Sequence, residues 1–110
     1  MAQSRRFLYR GVQGRVRRNV NWGAINLDST VIITAAEFTP QFGGPFGGPK
    51  TKGRPHLGEA SVYVTNVGPH GQAGVEAGGV EFHLHQDFPQ PLDVVVTITV
   101  LENIELFEQL

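Results

Sequence analysis

The chain has 110 residues, 40% of them hydrophobic and 17% charged, and no cysteine. That length makes one domain with one core, and the missing thiol excludes a disulfide scaffold, a cysteine-ligated metal and a thiol nucleophile. The net charge of −1 conceals a segregation: residues 1–55 hold all nine Lys and Arg with two acids, a balance of +7, and residues 56–110 hold the other eight acids, a balance of −8. Fourteen glycines and seven prolines among so few charges favour turn-rich β structure over a helix bundle. The N-terminal arginines precede only two apolar residues, which makes no signal peptide, and no apolar run approaches the ~20 residues of a spanning helix. The expectation is a soluble protein.

Residues 1–22 contain Arg5, Arg6, Arg10, Arg15, Arg17 and Arg18 and no acid. Phe7, Tyr9, Val12, Val16, Val20 and Trp22 are interleaved with them, and Val16, Val20 and Trp22 alternate with polar neighbours as on an exposed strand. The segment reads as a basic N-terminal arm or edge strand, because charge at that density is not buried without partners. Residues 23–110 read as a single β-domain. Its first firm strand is 30–38, Thr-Val-Ile-Ile-Thr-Ala-Ala-Glu-Phe, β-branched and apolar on both faces and therefore central. A long Gly/Pro loop spans 39–58 and repeats Phe-Gly-Gly-Pro at 42–45 and 46–49. Its prolines remove N–H donors, so it is no phosphate cradle, and Phe42 and Phe46 on it call for a covering surface.

A second strand runs over 59–67, with Val62 and Val64 on one face and Tyr63 and Thr65 on the other. Residues 68–79 read as a glycine-rich turn region. A third strand follows at 80–86, with Val80, Phe82 and Leu84 inward and Glu81, His83 and His85 outward. The strongest β signal is 92–101, Leu-Asp-Val-Val-Val-Thr-Ile-Thr-Val-Leu, which belongs mid-sheet because exposure would make it aggregate. Asn103 is placed to cap a last helical turn carrying Ile104, Phe107 and Leu110. The sum is an all-β fold, an antiparallel β-sandwich of the jelly-roll kind, with an Arg-rich N-terminal arm and a long Gly/Pro loop.

Few residues carry chemistry. His83 and His85, at i and i+2 on one strand face, offer two imidazoles to one metal, with Asp87, His70 or His56 as a third ligand. The plainer reading is a solvated face, so no metal and no cofactor are assigned. The edge made by His83, His85, Gln86 and Asp87 is the candidate ligand surface. There is no nucleophile motif, and Glu59, Glu76, Glu81, Asp87 and Asp93 are scattered, so catalysis is not expected. Arginines beside Phe7, Tyr9 and Trp22 suit nucleic acid, but the acidic second half opposes a polyanion. Segregated opposite charge suits self-assembly better, with the arm of one subunit lying on the acidic face of the next. Arg5, Arg6, Arg10, Arg15, Arg17, Arg18, Phe42 and Phe46 are the assembly residues of that reading.

Val31-Ile32-Ile33-Thr34-Ala35, Ala60-Ser61-Val62-Tyr63-Val64-Thr65-Asn66-Val67, Val80-Glu81-Phe82-His83-Leu84-His85 and the run from Val94 to Glu102-Asn103 look like, in that order, the first long core strand, the next, the third and the closing strand of the H-type lectins, a family that residues 29–103 resemble. The resemblance implies a six-stranded antiparallel sandwich that trimerises or hexamerises and binds GalNAc-type sugars. The family's Trp-His contact is replaced here by His85-Gln86-Asp87-Phe88, and its N-terminal strand by the Arg-rich segment. The function expected is a non-enzymatic oligomeric subunit, lectin-like, with a glycan or a larger protein as partner. The alternative is a structural subunit of a virion, tail or other particle, or an accessory subunit of a larger enzyme.

Overall fold

The computed structural model describes residues 2–40 and 53–110. Among these lie seven strands: β1 (Gln3–Val12), β2 (Gly14–Asn21), β3 (Ser29–Pro40), β4 (Gly53–His56), β5 (Val62–Gln72), β6 (Glu76–Gln86) and β7 (Leu92–Asn103). They form two antiparallel sheets, ordered β1-β7-β3-β4 and β2-β6-β5, and one sheet curls into a half-barrel. The two strands with the strongest alternation, β7 and β6, are interior strands of their sheets. Val94, Val96, Ile98 and Val100 of β7 are buried in one cluster with Val80, Phe82 and Leu84 of β6. Val12, Val20 and Ile25 complete that core, and Phe7, Tyr9 and Trp22 pack at its margin. Period-2 burial along β6 and β7 supplies the hydrophobic stabilisation that decides which face of each strand turns inward.

The Arg-rich segment is not a free arm. β1 pairs along β7, with Phe7 opposite Val96, and β2 along β6, with Arg17 opposite His83. The chain turns between them at Gln13, flanked by Gly11 (φ 66°) and Gly14 (φ 70°), a left-handed conformation that glycine adopts without a Cβ clash. All of its arginines but Arg15 find partners among the described residues. Arg10 reaches Asp93 and Arg17 reaches Glu81, both at 2.8 Å. Arg6 Nε donates to Thr97 Oγ1 at 3.1 Å. Arg5 lies over the Trp22 ring and Arg18 over Tyr9, at 5.1 and 4.8 Å from the centroids. The two oppositely charged halves of the sequence therefore meet partly as neighbouring strands of the same sheets.

Other expectations are corrected. Residues 68–79 are not a turn region: β5 and β6 continue to Gln72 and from Glu76, and the turn is confined to 73–75, where Val75 N donates to Gln72 O at 2.9 Å. The glycines serve close backbone approach instead. The 22–27 segment lies on them, with Trp22 N donating to Gly78 O at 2.9 Å and Leu27 N to Gly71 O at 3.0 Å. A Cβ on Gly78 would stand 2.1 Å from Ile25 O. The ends of the expected 39–58 loop are strand, since β4 pairs with β3 from Glu37↔His56 to Pro40↔Gly53. Phe42, Phe46 and the Phe-Gly-Gly-Pro repeat lie outside the described residues. Asn103 caps no helix. It pairs with Ser29, and Ile104 N donates to Asp28 O at 2.8 Å, holding the backbone extended. Residues 104–110 form no helical turn, as expected for a single turn with no surface under its apolar side.

Candidate binding face

The outward side of the β2-β6-β5 sheet collects the polar and aromatic residues that the core rejects. Opposed residues in an antiparallel ladder share a face. Arg15 faces His85, Arg17 faces His83 and Asn19 faces Glu81 from β2, while Tyr63 faces His85 and Thr65 faces His83 from β5. The Tyr63 and His85 rings are stacked, 4.5 Å between centroids and 3° from parallel. Thr65 Oγ1 lies 2.7 Å from His85 Nε2 and fixes the ring. The His83 ring meets His85 edge-on at 6.2 Å. Tyr63 remains 47% exposed, so an aromatic surface is held in place yet open to a ligand.

The ladder shifts register between Thr65 and Gly68. At that bulge Asn66 takes φ 57°, a left-handed conformation sparsely populated by non-glycine residues. Beside it a shallow cavity of about 260 Å³ is lined by Arg17, Asn66, Glu81 and His83. The hydrogen bond from Arg17, and then its charge, hold the Glu81 carboxyl below the ordinary carboxylate range, against a smaller opposing effect of desolvation. The cavity thus offers a fixed anion, a fixed cation and an imidazole within reach of one ligand.

Gln86 and Asp87 do not join this face. Gln86 is 1% exposed. Its amide nitrogen donates to Val12 O and Gln90 O, both at 2.9 Å, and its Oε1 accepts from the Phe88 N–H. Asp87 Oδ1 accepts from the Ser61 N–H at 2.9 Å and ties the 87–91 turn to the start of β5. His70 has both ring nitrogens engaged, Nδ1 with Ala77 O at 2.9 Å and Nε2 with Asn19 Oδ1 at 2.8 Å. His56 sits on β4 in the other sheet, opposite Glu37. The third-ligand candidates are therefore not gathered around His83 and His85, and no group of three or more His, Cys, Asp or Glu that could hold a metal occurs among the described residues.

Tyr63, Thr65, Asn66 and Glu81 were not singled out by sequence as ligand residues. Alternation turns Tyr63, Thr65 and Glu81 outward, but only the β5–β6 register unites them with His83 and His85. The chain matches no known protein-family model, no curated protein and no solved structure.

Proposed function

We propose that this chain is a non-enzymatic binding and assembly subunit, an antiparallel β-sandwich of the jelly-roll, H-type-lectin-like kind, that acts as a homo-oligomer and presents the outer β2-β6-β5 face to carbohydrate. The observation that carries the reading is the stacked Tyr63–His85 pair beside the Arg17–Glu81 pair. Sugars are recognised by packing their C–H faces on aromatic rings while their hydroxyls bond fixed charged and polar groups, and these occur side by side here. Testing requires a panel of mono- and oligosaccharides, GalNAc included, titrated calorimetrically into the intact chain. Tyr63→Ala and His85→Ala are expected to weaken binding by at least about tenfold with an unchanged fold. Failure of every sugar to bind, or binding indifferent to both substitutions, overturns the carbohydrate reading.

Assembly is tested by light scattering after size exclusion. Because residues 3–21 form two strands, the appropriate perturbation is not truncation but Arg15→Ala, whose exposed guanidinium makes no described contact within the chain. Loss of oligomer in that variant and in high salt is the expected result, since exposed ion pairs are screened. A monomer at every concentration sinks it. A second reading, a structural subunit of a larger particle, is favoured by the C-terminal segment, where Leu106, Phe107 and Leu110 are 73%, 86% and 115% exposed.

A further inference from the structure

β2 is an edge of its sheet, paired only with β6, and its other side presents a row of backbone groups that no described strand takes up. Alternation turns Val16, Arg18 and Val20 towards the core from this edge, and Phe7, Tyr9 and Trp22 pack at the core margin. Arg18 stands over the Tyr9 ring and meets no carboxylate among the described residues. Its Nε is sealed from solvent, but its terminal nitrogens are not, and they make no hydrogen bond among the described residues. The charge around it is cationic. Arg5 lies over Trp22 and Arg15 has no described partner, while the acids Glu81 and Asp93 are already held by Arg17 and Arg10. Residues 104–110, Ile-Glu-Leu-Phe-Glu-Gln-Leu, are the converse: each is exposed, and no Lys or Arg occurs from 91 to 110. In their own copy they leave β2 uncovered, with Ile104 N bound to Asp28 O.

We infer that residues 104–110 of a second copy add to β2 as an antiparallel fourth strand of the β2-β6-β5 sheet, with Glu108 against Arg18. In that register Leu110 meets Val16, Leu106 meets Val20 and Ile104 meets Trp22, all on the inward side. The one acid on that side of the segment falls on the one cation on that side of β2, and apolar residues meet apolar residues elsewhere. A slip of two residues sets Glu108 against Val16 or Val20. A slip of one sets the leucines against Arg15, Arg17 or the asparagines, so the match is particular to this register. Seven extended residues span about 24 Å and the eight of β2 about 27 Å, which covers the edge nearly whole. An inward charge on an edge strand repels foreign strands in general. Arg18 thus admits a strand that brings an acid to this position and rejects the basic β1 and β2 of other copies. The contact rests on the assembly reading, which it makes specific, and is independent of carbohydrate.

The test is light scattering after size exclusion, over a range of concentrations, on the intact chain and on its Glu108→Arg and Glu105→Arg variants. Both substitutions make the same change of charge on an exposed segment, and Glu105 falls opposite Asn21, away from Arg18. Glu108→Arg is expected to weaken self-association at least about tenfold, and Glu105→Arg less than about threefold. Isotope-labelled and unlabelled copies, mixed, are expected to show nuclear Overhauser contacts from the methyls of Leu106 and Leu110 of one copy to those of Val16 and Val20 of the other. An oligomer indifferent to Glu108→Arg, or weakened equally by Glu105→Arg, overturns the inference and leaves the assembly reading standing. Overhauser contacts confined to a single copy, or absent from an oligomer, do the same. A parent chain that is monomeric at every concentration overturns both. The Overhauser measurement uses the unaltered protein, so it decides even where a substitution perturbs the fold.

Discussion

Replacing Gln86 by Leu removes one side chain that joins three backbone segments. The amide holds Val12 O at the β1–β2 corner and Gln90 O in the following turn, and the carbonyl holds the Phe88 N–H. Leucine fills a similar volume, so the cavity effect is small and the loss is polar. Each buried bond contributes about 1 kcal/mol net, and an orphaned buried group costs about 1–3 kcal/mol. Part of that loss is offset by burial of the extra apolar surface of leucine. The variant is therefore expected to lose about 2–4 kcal/mol, or ~10–20 °C in Tm for a chain of this length. Guanidinium unfolding followed by circular dichroism and by Trp22 fluorescence measures it, the midpoint falling at constant m-value. A loss below about 0.5 kcal/mol would falsify the structural role of Gln86.

Further expectations follow the same reasoning. Asp87→Ala removes the acceptor for the Ser61 N–H and is expected to cost about 1 kcal/mol in the same unfolding assay, with sugar binding unchanged. Burial raises the Tyr9 phenol above its ordinary 10.0, with Arg18 opposing in part. The folded state then keeps this proton longer than the unfolded one, so the stability contributed is full below 10.0 and is lost as pH rises through the raised value. The ultraviolet phenolate titration of the parent minus that of Tyr9→Phe shows it, and a Tyr9 component at or below 10.0 refutes it. Glu81 has the opposite sign. Its depressed carboxyl contributes above the ordinary carboxylate range and ceases to as pH falls through the lowered value, a dependence that Arg17→Ala should erase from the unfolding midpoint. Gly78→Ala drives a methyl into Ile25 O and is expected to destabilise by about 1–3 kcal/mol. Deleting residues 105–110 removes Leu106, Phe107 and Leu110 from solvent and should leave stability within about 0.5 kcal/mol while lowering self-association.

The strands of the core were legible because their force is local: β7 and β6 write period-2 hydrophobicity into consecutive residues. Parity also contained more than residue type suggested. Gln86 shares the parity of Val80, Phe82 and Leu84, which points it inward, and its polarity led to the opposite assignment. Arg18 likewise faces the core side of β2, opposite Phe82, with its Nε buried and unpaired and its charge over Tyr9. The face of Tyr63, His85, His83 and Arg17 was half legible, since alternation turned each residue outward but strand register, a non-local quantity, decided which of them meet. The bulge at Asn66 left no periodic trace, because it is defined by a neighbour distant in sequence. Of the two readings of the Arg-rich segment, arm or edge strand, the second holds, since β1 and β2 are sheet edges; the acids that compensate Arg10 and Arg17 lie 83 and 64 residues away, beyond the reach of local pattern.

The order of β1, β7 and β3 in the first sheet has a consequence in time. β7, which separates β1 from β3, follows both in sequence, so the sheet cannot close until β7 has been made. Pairings such as Gln3 with Val100 make this a topology of distant contacts, which folds slowly. Throughout that interval β1 waits with Phe7, Leu8 and Tyr9 uncovered and no strand beside it. Arg5, Arg6 and Arg10 surround that apolar triplet, and charge flanking an unpaired strand keeps it from joining a foreign one. The arginines of β1 thus guard that strand until β7 is made, and only afterwards become part of the folded surface.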